Sequence, residues 1–141
     1  MQVKERVILH SDVNNFFASV ECASRSELKD KPVAVTGNPQ KRTGIILAKN
    51  EIAKKFGVKT GQIIGEAKAI CPGLVCLPPH YDLYEEISGQ LHALYLNYTN
   101  FVEPLGLDEC WLDVTDSLKY LKMTGVQIAD EIRQKVKQEF G

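Results

Sequence analysis

Three features are missing from this sequence of 141 residues: a long apolar run, an internal repeat and a low-complexity linker. Because no stretch is long and apolar enough to cross a bilayer, we expect no membrane partner. The opening residues, MQVKERVILHSD, are charged but contain only a short apolar run, so they do not fit a signal peptide. The 44% of hydrophobic and 25% of charged residues are typical of one globular domain, or of part of a larger protein.

Cysteine motifs are also missing. The four cysteines form no CxxC pair and have no neighbouring histidine pattern; they are Cys22, Cys71, Cys76 and Cys110. This spacing argues against a zinc site and a disulfide framework, and it favours reduced, structural thiols in a cytoplasmic protein.

Residues 69–118 contain no Lys or Arg, although they contain eight Asp or Glu. The preceding residues 25–68 contain ten Lys or Arg and four Asp or Glu. A basic segment followed by an acidic one favours a site that binds a polyanion on one side and cations on the other. Two oppositely charged surfaces, packed together or solvated, are the simpler explanation of this charge pattern taken alone.

The periodicity predicts an α+β fold. Short aliphatic runs predict strands at RVILHSDV, KPVAVTG and GIILAKN, and FVEPLGLDECWLDVT predicts a β-hairpin. Helical spacing predicts helices at NNFFASVECAS, EIAKKFG, IGEAKAIC, YDLYEEISGQLHALYLNYT and TGVQIADEIRQKVKQEFG, with Gly57 ending the second. The resulting β-α-β-β-α series lacks one strand of a split βαβ sheet, so we expect a longer protein.

Apolar spacing also predicts the buried face of each longer helix. The first helix is predicted to bury Phe17, Val20 and Phe16. The stripe predicted for the long helix comprises Tyr84, Ile87, Leu91, Leu94, Tyr95 and Tyr98. The stripe predicted for the last helix comprises Val126, Ile128, Ile132, Val136 and Phe140.

Three carboxylates stand beside apolar runs. Asp12 ends the first predicted strand, and Asp108 and Glu109 lie near the bend of the predicted hairpin. A lone Asp at a strand end is usually a helix cap or turn residue, and Asp-Glu doublets are common on surfaces. If the first strand lies beside the hairpin, however, the three carboxylates meet at one end of a sheet, where divalent cations would relieve their repulsion. Two Mg²⁺ ions there would favour phosphoryl or nucleotidyl transfer.

Five blocks of the sequence, in order and interval, resemble the N-terminal part of Y-family translesion DNA polymerases, the DNA polymerase IV and UmuC group. The blocks are DVNNFFASVE, KPVAVTG, AKKFGVKTG, YDLYEEIS and LDECWLDVT. The resemblance implies a ferredoxin-like palm sheet, a split βαβ arrangement that lacks its last strand, with a small inserted fingers subdomain. On this map the palm comprises residues 1–20 and 79–141 and the fingers comprise residues 21–78, while the thumb and little-finger domains lie outside the chain.

The resemblance also implies the roles of the acids. Asp12, Asp108 and Glu109 correspond to the family's catalytic and metal-binding acids. The backbone carbonyl of Val13 corresponds to a further metal ligand.

Nucleotide-binding roles are implied for the following segment. The backbone N–H groups of Asn15 and Phe16 would face the incoming phosphates at the start of a helix. Phe17 corresponds to the steric gate, an aromatic ring that leaves no room for a 2′-hydroxyl group. Without the resemblance, core packing is the plainer interpretation of Phe16 and Phe17.

The run LAKNEIAKKFG departs from the pattern of much of the family. Glu51 stands where Tyr is usual, and Lys54 stands where Arg is usual. Lys54 would neutralise phosphate as a point charge and not as a bidentate fork, and Lys49 would compensate for part of the loss. Glu51 would repel phosphate unless its side chain is turned away. The run KNEIAK is similar to the UmuC-like branch.

The implied activity is template-directed DNA synthesis past damaged bases, as part of DNA repair and the SOS response. The implied partners are primer-template DNA, deoxynucleoside triphosphates and, through parts outside the chain, a sliding clamp. The implied cofactors are two Mg²⁺ ions, for which Mn²⁺ can substitute, and the implied location is the cytoplasm, at the nucleoid during work on DNA.

We expect the chain alone to bind DNA weakly and to have little or no polymerase activity, because most phosphate contacts belong to the other domains. Two alternatives stay open: a nucleotidyl cyclase or phosphohydrolase on a similar sheet, and a catalytically silent accessory module.

Overall fold

The computed structural model describes residues 5–41 and 43–140. The chain divides into two compact units: unit 1 comprises residues 1–13 and 85–141, and unit 2 comprises residues 14–84. No helix of the described residues is long and apolar enough to span a membrane. Helices and small sheets occur together, so the predicted α+β class is confirmed.

Twelve helices and strands follow one another along the described residues. They are β1 (Ile8–Asp12), α1 (Phe16–Ser24), β2 (Val33–Thr36), β3 (Ile46–Lys49), α2 (Glu51–Lys55), α3 (Ile64–Ile70), β4 (Val75–Leu77), α4 (Tyr81–Tyr95), β5 (Val102–Leu105), β6 (Glu109–Asp113), α5 (Ser117–Leu121) and α6 (Gly125–Phe140). A short 3-10 turn, Ser26–Leu28, follows α1.

Unit 1 contains a three-stranded antiparallel sheet in the order β1-β6-β5. Successive side chains of a strand point to opposite faces, so Cys110 and Leu112 are buried while Trp111 between them is exposed. The face that carries Trp111 is called here the open face. Other buried apolar residues of unit 1 come from α4 and α6: Leu91, Leu94, Tyr95, Ile128 and Ile132.

Unit 2 contains a mixed sheet in the order β3-β2-β4, in which β2 is antiparallel to β3 and parallel to β4. Every residue of β2 is buried, because apolar groups cover both of its faces. One face packs in a cluster of residues from β2, β3, α2, α3 and the segments that follow the two helices: Ala34, Ile46, Ala53, Val58, Ile64, Ala67, Cys71 and Leu74. On the other face, Val35 and Ala48 pack with Ala18 of α1, and Phe17 joins them.

The end of α2 shows why the chain turns there. Gly57 has φ of 97°, a left-handed conformation that suits glycine. Its N–H donates to the carbonyl of Lys54, and the N–H of Val58 donates to that of Ala53, which is the hydrogen-bond pattern of a Schellman motif. The predicted helix end at Gly57 is therefore confirmed.

The segregation of charge coincides with the two units. Unit 2 contains ten Lys or Arg and six Asp or Glu, a net charge of +4, whereas unit 1 contains seven and twelve, a net charge of −5. The basic segment and the acidic segment of the sequence therefore belong mainly to different compact units.

Several elements differ from the sequence predictions. Helix α1 begins at Phe16 and not at residue 14, because Asn15 adopts a left-handed conformation with φ of 53°. Helix α4 ends at Tyr95, so Tyr98 is buried from the following turn and not from the helix. Strand β4 and helix α5 were not predicted, because each is at most five residues long and carries no clear period.

Two predicted buried faces need correction. In α1 the fully buried residues are Phe16, Ala18 and Glu21, whereas Phe17 and Val20 are half-buried. In α6 Ile128 and Ile132 are buried as predicted, but Val126 is 73% exposed. Val126 lies in the first turn of α6, so its wrong assignment reflects a helix that starts one turn before its apolar stripe meets the core.

Candidate active site

The pairing of β1 with β6 brings Asp12 and Glu109 together at the end of the ladder. The two residues are directly opposite each other in the antiparallel register. Side chains in such positions point to the same face, with Cα atoms about 4.5–5.5 Å apart. Two positions further along, the opposed rings of His10 and Trp111 stack with centroids 4.4 Å apart on that same open face. The carboxylates of Asp12 and Glu109 are therefore neighbours on the open face.

Asp108 is the last residue of the turn that joins β5 to β6. The N–H of Val13 donates to the Asp108 carbonyl over 3.0 Å, so the chain leaving β1 runs beside this turn. Ser88 of α4 donates its hydroxyl hydrogen bond to the Leu107 carbonyl over 2.7 Å, which fixes the same turn to the helix. Gly106, at φ of 78°, permits the bend. The backbone of Asp108 is thus held beside the end of β1, but among the described residues its carboxylate does not form a group of three metal-holding acids with those of Asp12 and Glu109.

The three acids differ from Asp113, at the other end of β6, in that Asp113 has an ion-pair partner. Asp113 pairs with Arg6 over 2.7 Å, and it also accepts hydrogen bonds from Thr115. Among the ion pairs of the described residues, none involves Asp12, Asp108 or Glu109. Within the described part of the chain, the acids at this end of the ladder therefore have no ion-pair partner, whereas Asp113 at the other end of β6 has one.

The chemistry of this donor set fits a hard cation. Carboxylate and carbonyl oxygens are the ligands that Mg²⁺ prefers, and Mg²⁺ usually keeps water or phosphate in its other positions. In residues 5–41 and 43–140, no group of three or more Asp, Glu, His or Cys side chains is arranged to hold a metal ion by itself. A cation bound beside Asp12 and Glu109 would therefore need oxygen ligands from water or from a phosphate group.

Unit 2 holds the other predicted site residues, beginning with Asn15. Its left-handed backbone stands immediately before α1, and its carbonyl accepts the N–H of Ser19 over 2.8 Å. Its side-chain amide donates to a Glu51 carboxylate oxygen over 3.0 Å. Glu51 is thus hydrogen-bonded to the loop that precedes α1.

The two phenylalanines of α1 have different surroundings. Phe16 is 4% exposed and packs edge-on against Tyr84, as a core residue does. Phe17 is half-buried, and its ring stacks on that of Tyr84 with centroids 4.4 Å apart and an angle of 12° between the planes. Of the two residues, Phe17 is the more exposed.

The two predicted lysines lie in adjacent elements of unit 2. Lys49 ends β3, is half-buried, and donates to the Thr60 hydroxyl over 3.3 Å. Lys54 is in the last turn of α2 and is exposed. Lys49 lies in a strand and Lys54 in a helix. Of these two lysines, only Lys49 donates a side-chain hydrogen bond among the contacts of the described residues.

One group of contacting residues in unit 2 was not predicted from the sequence. Glu21 is buried, and its carboxylate accepts hydrogen bonds from Tyr84 and His80. The available signal was an acid one helical turn after Phe17, at the edge of the predicted inner face of α1. Tyr84 was predicted only as part of the core stripe of α4, and its contact with Phe17 joins residues far apart in the sequence.

Comparison with known proteins shows related sequences over nearly the whole chain. Residues 11–141 match the impB/mucB/samB family. The chain is 53% identical to a DNA polymerase IV of Acetivibrio thermocellus over 97% of its own length and 34% of the relative. It is 40% identical to a DNA polymerase IV of Ralstonia nicotianae, over 96% of the chain and 38% of the relative.

Solved structures show the same similarity. An insertion ternary complex of Dbh DNA polymerase matches with a TM-score of 0.84 and 29% identity, over 94% of this chain and 39% of that one. DinB from Sulfolobus solfataricus matches with a TM-score of 0.83 and 29% identity, over the same shares of the two chains. The chain thus spans between a third and two fifths of the length of these relatives. Sequence and fold together show that the chain belongs to the impB/mucB/samB family and has the palm and fingers architecture of Y-family DNA polymerases.

Proposed function

We propose that the protein containing this chain is a template-directed DNA polymerase of the translesion type. The observation that carries the proposal is the opposition of Asp12 and Glu109 at the end of the β1–β6 ladder, with Asp108 beside them. The family of the chain and the names of its relatives support the same activity. Its substrates would be deoxynucleoside triphosphates and primer-template DNA.

The three acids would act as ligands for two Mg²⁺ ions, with the Val13 carbonyl as a further ligand and Mn²⁺ as a possible replacement. Bound there, the ions would activate the primer 3′-hydroxyl and neutralise charge on the reacting phosphate. The chain's own contribution is preorganisation. Strand pairing fixes Asp12 opposite Glu109, and the hydrogen bonds to the turn hold the backbone of Asp108 beside the end of β1, from which its carboxylate would reach the ions.

The residues of unit 2 would bind the incoming nucleotide. Asn15 and Phe16 would offer backbone N–H groups at the start of α1, and Phe17 would exclude a ribose 2′-hydroxyl. Lys49 and Lys54 would neutralise the triphosphate as point charges.

The hydrogen bond from Asn15 bears on the expectation that Glu51 would repel phosphate unless its side chain is turned away. The bond occupies one carboxylate oxygen of Glu51 and links the acid to the loop before α1. Because an amide donor leaves the carboxylate its negative charge, Glu51 would still oppose the binding of phosphate, and Lys49 and Lys54 would have to outweigh it.

The remaining parts of the proposal depend on segments outside this chain. We propose that a sliding clamp is bound through them, that the protein works in the cytoplasm at the nucleoid, and that it serves DNA repair in the SOS response. Primer extension by the 141-residue chain should be weak or absent beside that of the whole protein, because most phosphate contacts would be missing. Processive synthesis by the chain alone would contradict this part.

Primer extension past a damaged template base, by the whole protein, tests the activity. Asp12→Asn and Glu109→Gln should each lower the rate by more than about a hundredfold, since each loses a charge at the metal site. Glu103→Gln is the matched control, because Glu103 is an exposed acid of β5 opposite Trp111 in the same sheet. The control should keep nearly full activity.

Two outcomes would contradict the proposed activity. Extension by Asp12→Asn or Glu109→Gln at the rate of the unchanged protein would remove these acids from the reaction. Release of pyrophosphate that does not depend on a template would instead favour a nucleotidyl cyclase or phosphohydrolase.

A further inference from the structure

A buried carboxylate in unit 2 takes no part in the function proposed above. Glu21 of α1 is 1% exposed, and one of its oxygens accepts two hydrogen bonds. The Tyr84 hydroxyl donates over 2.7 Å, and Nδ1 of His80 lies 2.5 Å away. A carboxylate that is removed from water is costly unless its charge is compensated and its oxygens are hydrogen-bonded. Glu21 is therefore bound tightly to the first turn of α4 and the residue before it.

The hydrogen bond orients Tyr84, which is fully buried. Burial and, next, the hydrogen bond to Glu21 raise the pKa of Tyr84 well above its ordinary value, so its hydroxyl keeps its proton and donates a hydrogen bond to the carboxylate. The hydroxyl lies at the end of the long axis of the ring. The hydrogen bond to Glu21 therefore limits movement of the ring along this axis.

The ring of Tyr84 supports that of Phe17. The two rings are nearly parallel, with an angle of 12° and centroids 4.4 Å apart. Tyr81 contacts both rings edge-on, with centroids 5.8 Å from Phe17 and 6.0 Å from Tyr84. Phe17 cannot tilt without separating from Tyr84, and Tyr84 cannot shift without losing its hydrogen bond to Glu21.

We infer that Glu21 and Tyr84 are positioning residues that fix the ring of Phe17 and thereby set the discrimination between deoxyribose and ribose. The inference rests on the proposed function, in which Phe17 lies under the sugar of the incoming nucleotide. His80 is the second partner of the Glu21 carboxylate and holds it in place when the first is removed. Sugar selection then depends on a hydrogen bond that does not touch the nucleotide.

The test is the ratio of kcat/KM for a deoxynucleotide to kcat/KM for the matching ribonucleotide, measured with the whole protein. Tyr84→Phe removes the hydroxyl and keeps the ring, and it should lower this ratio about three- to tenfold, because part of one charge-assisted hydrogen bond is transmitted to Phe17. Glu21→Gln keeps an acceptor but removes the charge, so it should lower the ratio less.

Tyr95→Phe is the matched control. Tyr95 is also a buried tyrosine of α4, and its hydroxyl shares a 2.7 Å hydrogen bond with Ser11. The control removes a similar hydrogen bond in unit 1, so its ratio should equal that of the unchanged protein even if its stability falls as much as that of Tyr84→Phe.

An unchanged ratio in Tyr84→Phe, or an equal change in Tyr95→Phe, would overturn the inference while leaving the polymerase activity intact. If Tyr84→Phe does not fold, Glu21→Gln decides in the same way. Failure of the unchanged protein to incorporate deoxynucleotides on a template would instead contradict the proposed function, and the inference would fall with it.

Discussion

At the scale of single residues, two acids on the same face of β6 have different surroundings. Asp113 is neutralised by Arg6 and hydrogen-bonded by Thr115. Glu109, four residues earlier, has no such partner among the described ion pairs and lies opposite another acid, Asp12. A protein can stabilise a structural acid by pairing it, whereas two acids side by side repel each other, and a bound cation would relieve that repulsion. This difference separates the candidate site from an ordinary charged surface.

The pairing of Asp113 predicts a dependence of stability on pH. The hydrogen bond from Arg6 and those from Thr115 lower the pKa of Asp113 from 3.8 to about 2. At pH values between these two the unfolded chain binds more protons than the folded chain, so stability increases with pH. The contribution of Asp113 should be complete above about pH 4 and should be lost as the pH falls through about 2.

Urea unfolding between pH 5 and 2, together with a carbon-13 titration of the Asp113 carboxyl, measures this effect. Arg6→Gln should raise the pKa of Asp113 towards its ordinary value and flatten the part of the stability curve below about pH 4. Because Thr115 still donates to the carboxylate, part of the effect should remain. An unchanged Asp113 titration in Arg6→Gln would contradict the assignment.

The functional geometry of single residues was only partly predictable from the sequence. The three acids were recognisable because they interrupt apolar runs, and the assumed neighbourhood of the first strand and the hairpin agrees with the β1–β6 pairing. The link between Glu21, Tyr84 and Phe17 was not predictable, because side-chain contacts between residues more than 60 positions apart leave no periodic signal.

At the scale of elements, two glycines of unit 1 have different backbone conformations. Gly106 has φ of 78° in the β5–β6 turn, whereas Gly89 lies within α4. A Cβ atom at either position would have no neighbour within 4 Å. Differences between alanine variants at the two sites therefore report backbone conformation alone.

Alanine substitutions should have opposite signs at these glycines. Gly89→Ala should stabilise unit 1 by about 0.5–1 kcal/mol, since alanine is the better helix former. Gly106→Ala should destabilise it by about 1 kcal/mol, because an L-residue is strained in the left-handed region. Denaturant unfolding of the two variants provides the measurement, and a stabilised Gly106→Ala would mean that the turn does not have this conformation.

The elements that sequence patterns predicted well are those with strong periods. The buried run at β2, the long apolar stripe of α4 and the core residues Ile128 and Ile132 of α6 were all recognisable. The start of α1 was not, because the left-handed backbone of Asn15 is a local conformation that the run NNFF does not specify. Strand β4 was missed because its three residues are held by the parallel neighbour β2 and not by a pattern of their own.

At the scale of the whole molecule, the two units differ both in net charge and in the site residues that they contain. Unit 1, with a net charge of −5, contains the three acids, and unit 2, with a net charge of +4, contains the two lysines and Phe17. Cations and polyanions would each find opposite charge in a different unit, as the proposed function requires. The family resemblance, and not the charge pattern alone, selects this explanation over two solvated surfaces.

The central claim is that Asp12, Asp108 and Glu109 together hold divalent cations, and paramagnetic broadening of backbone amide signals by Mn²⁺ tests it most directly. The account predicts that residues 11–13 and 107–110 broaden first, that Mg²⁺ competes, and that Asp12→Asn weakens the effect while Glu103→Gln does not. Broadening centred elsewhere, or equal broadening in Asp12→Asn and the unchanged chain, would contradict it.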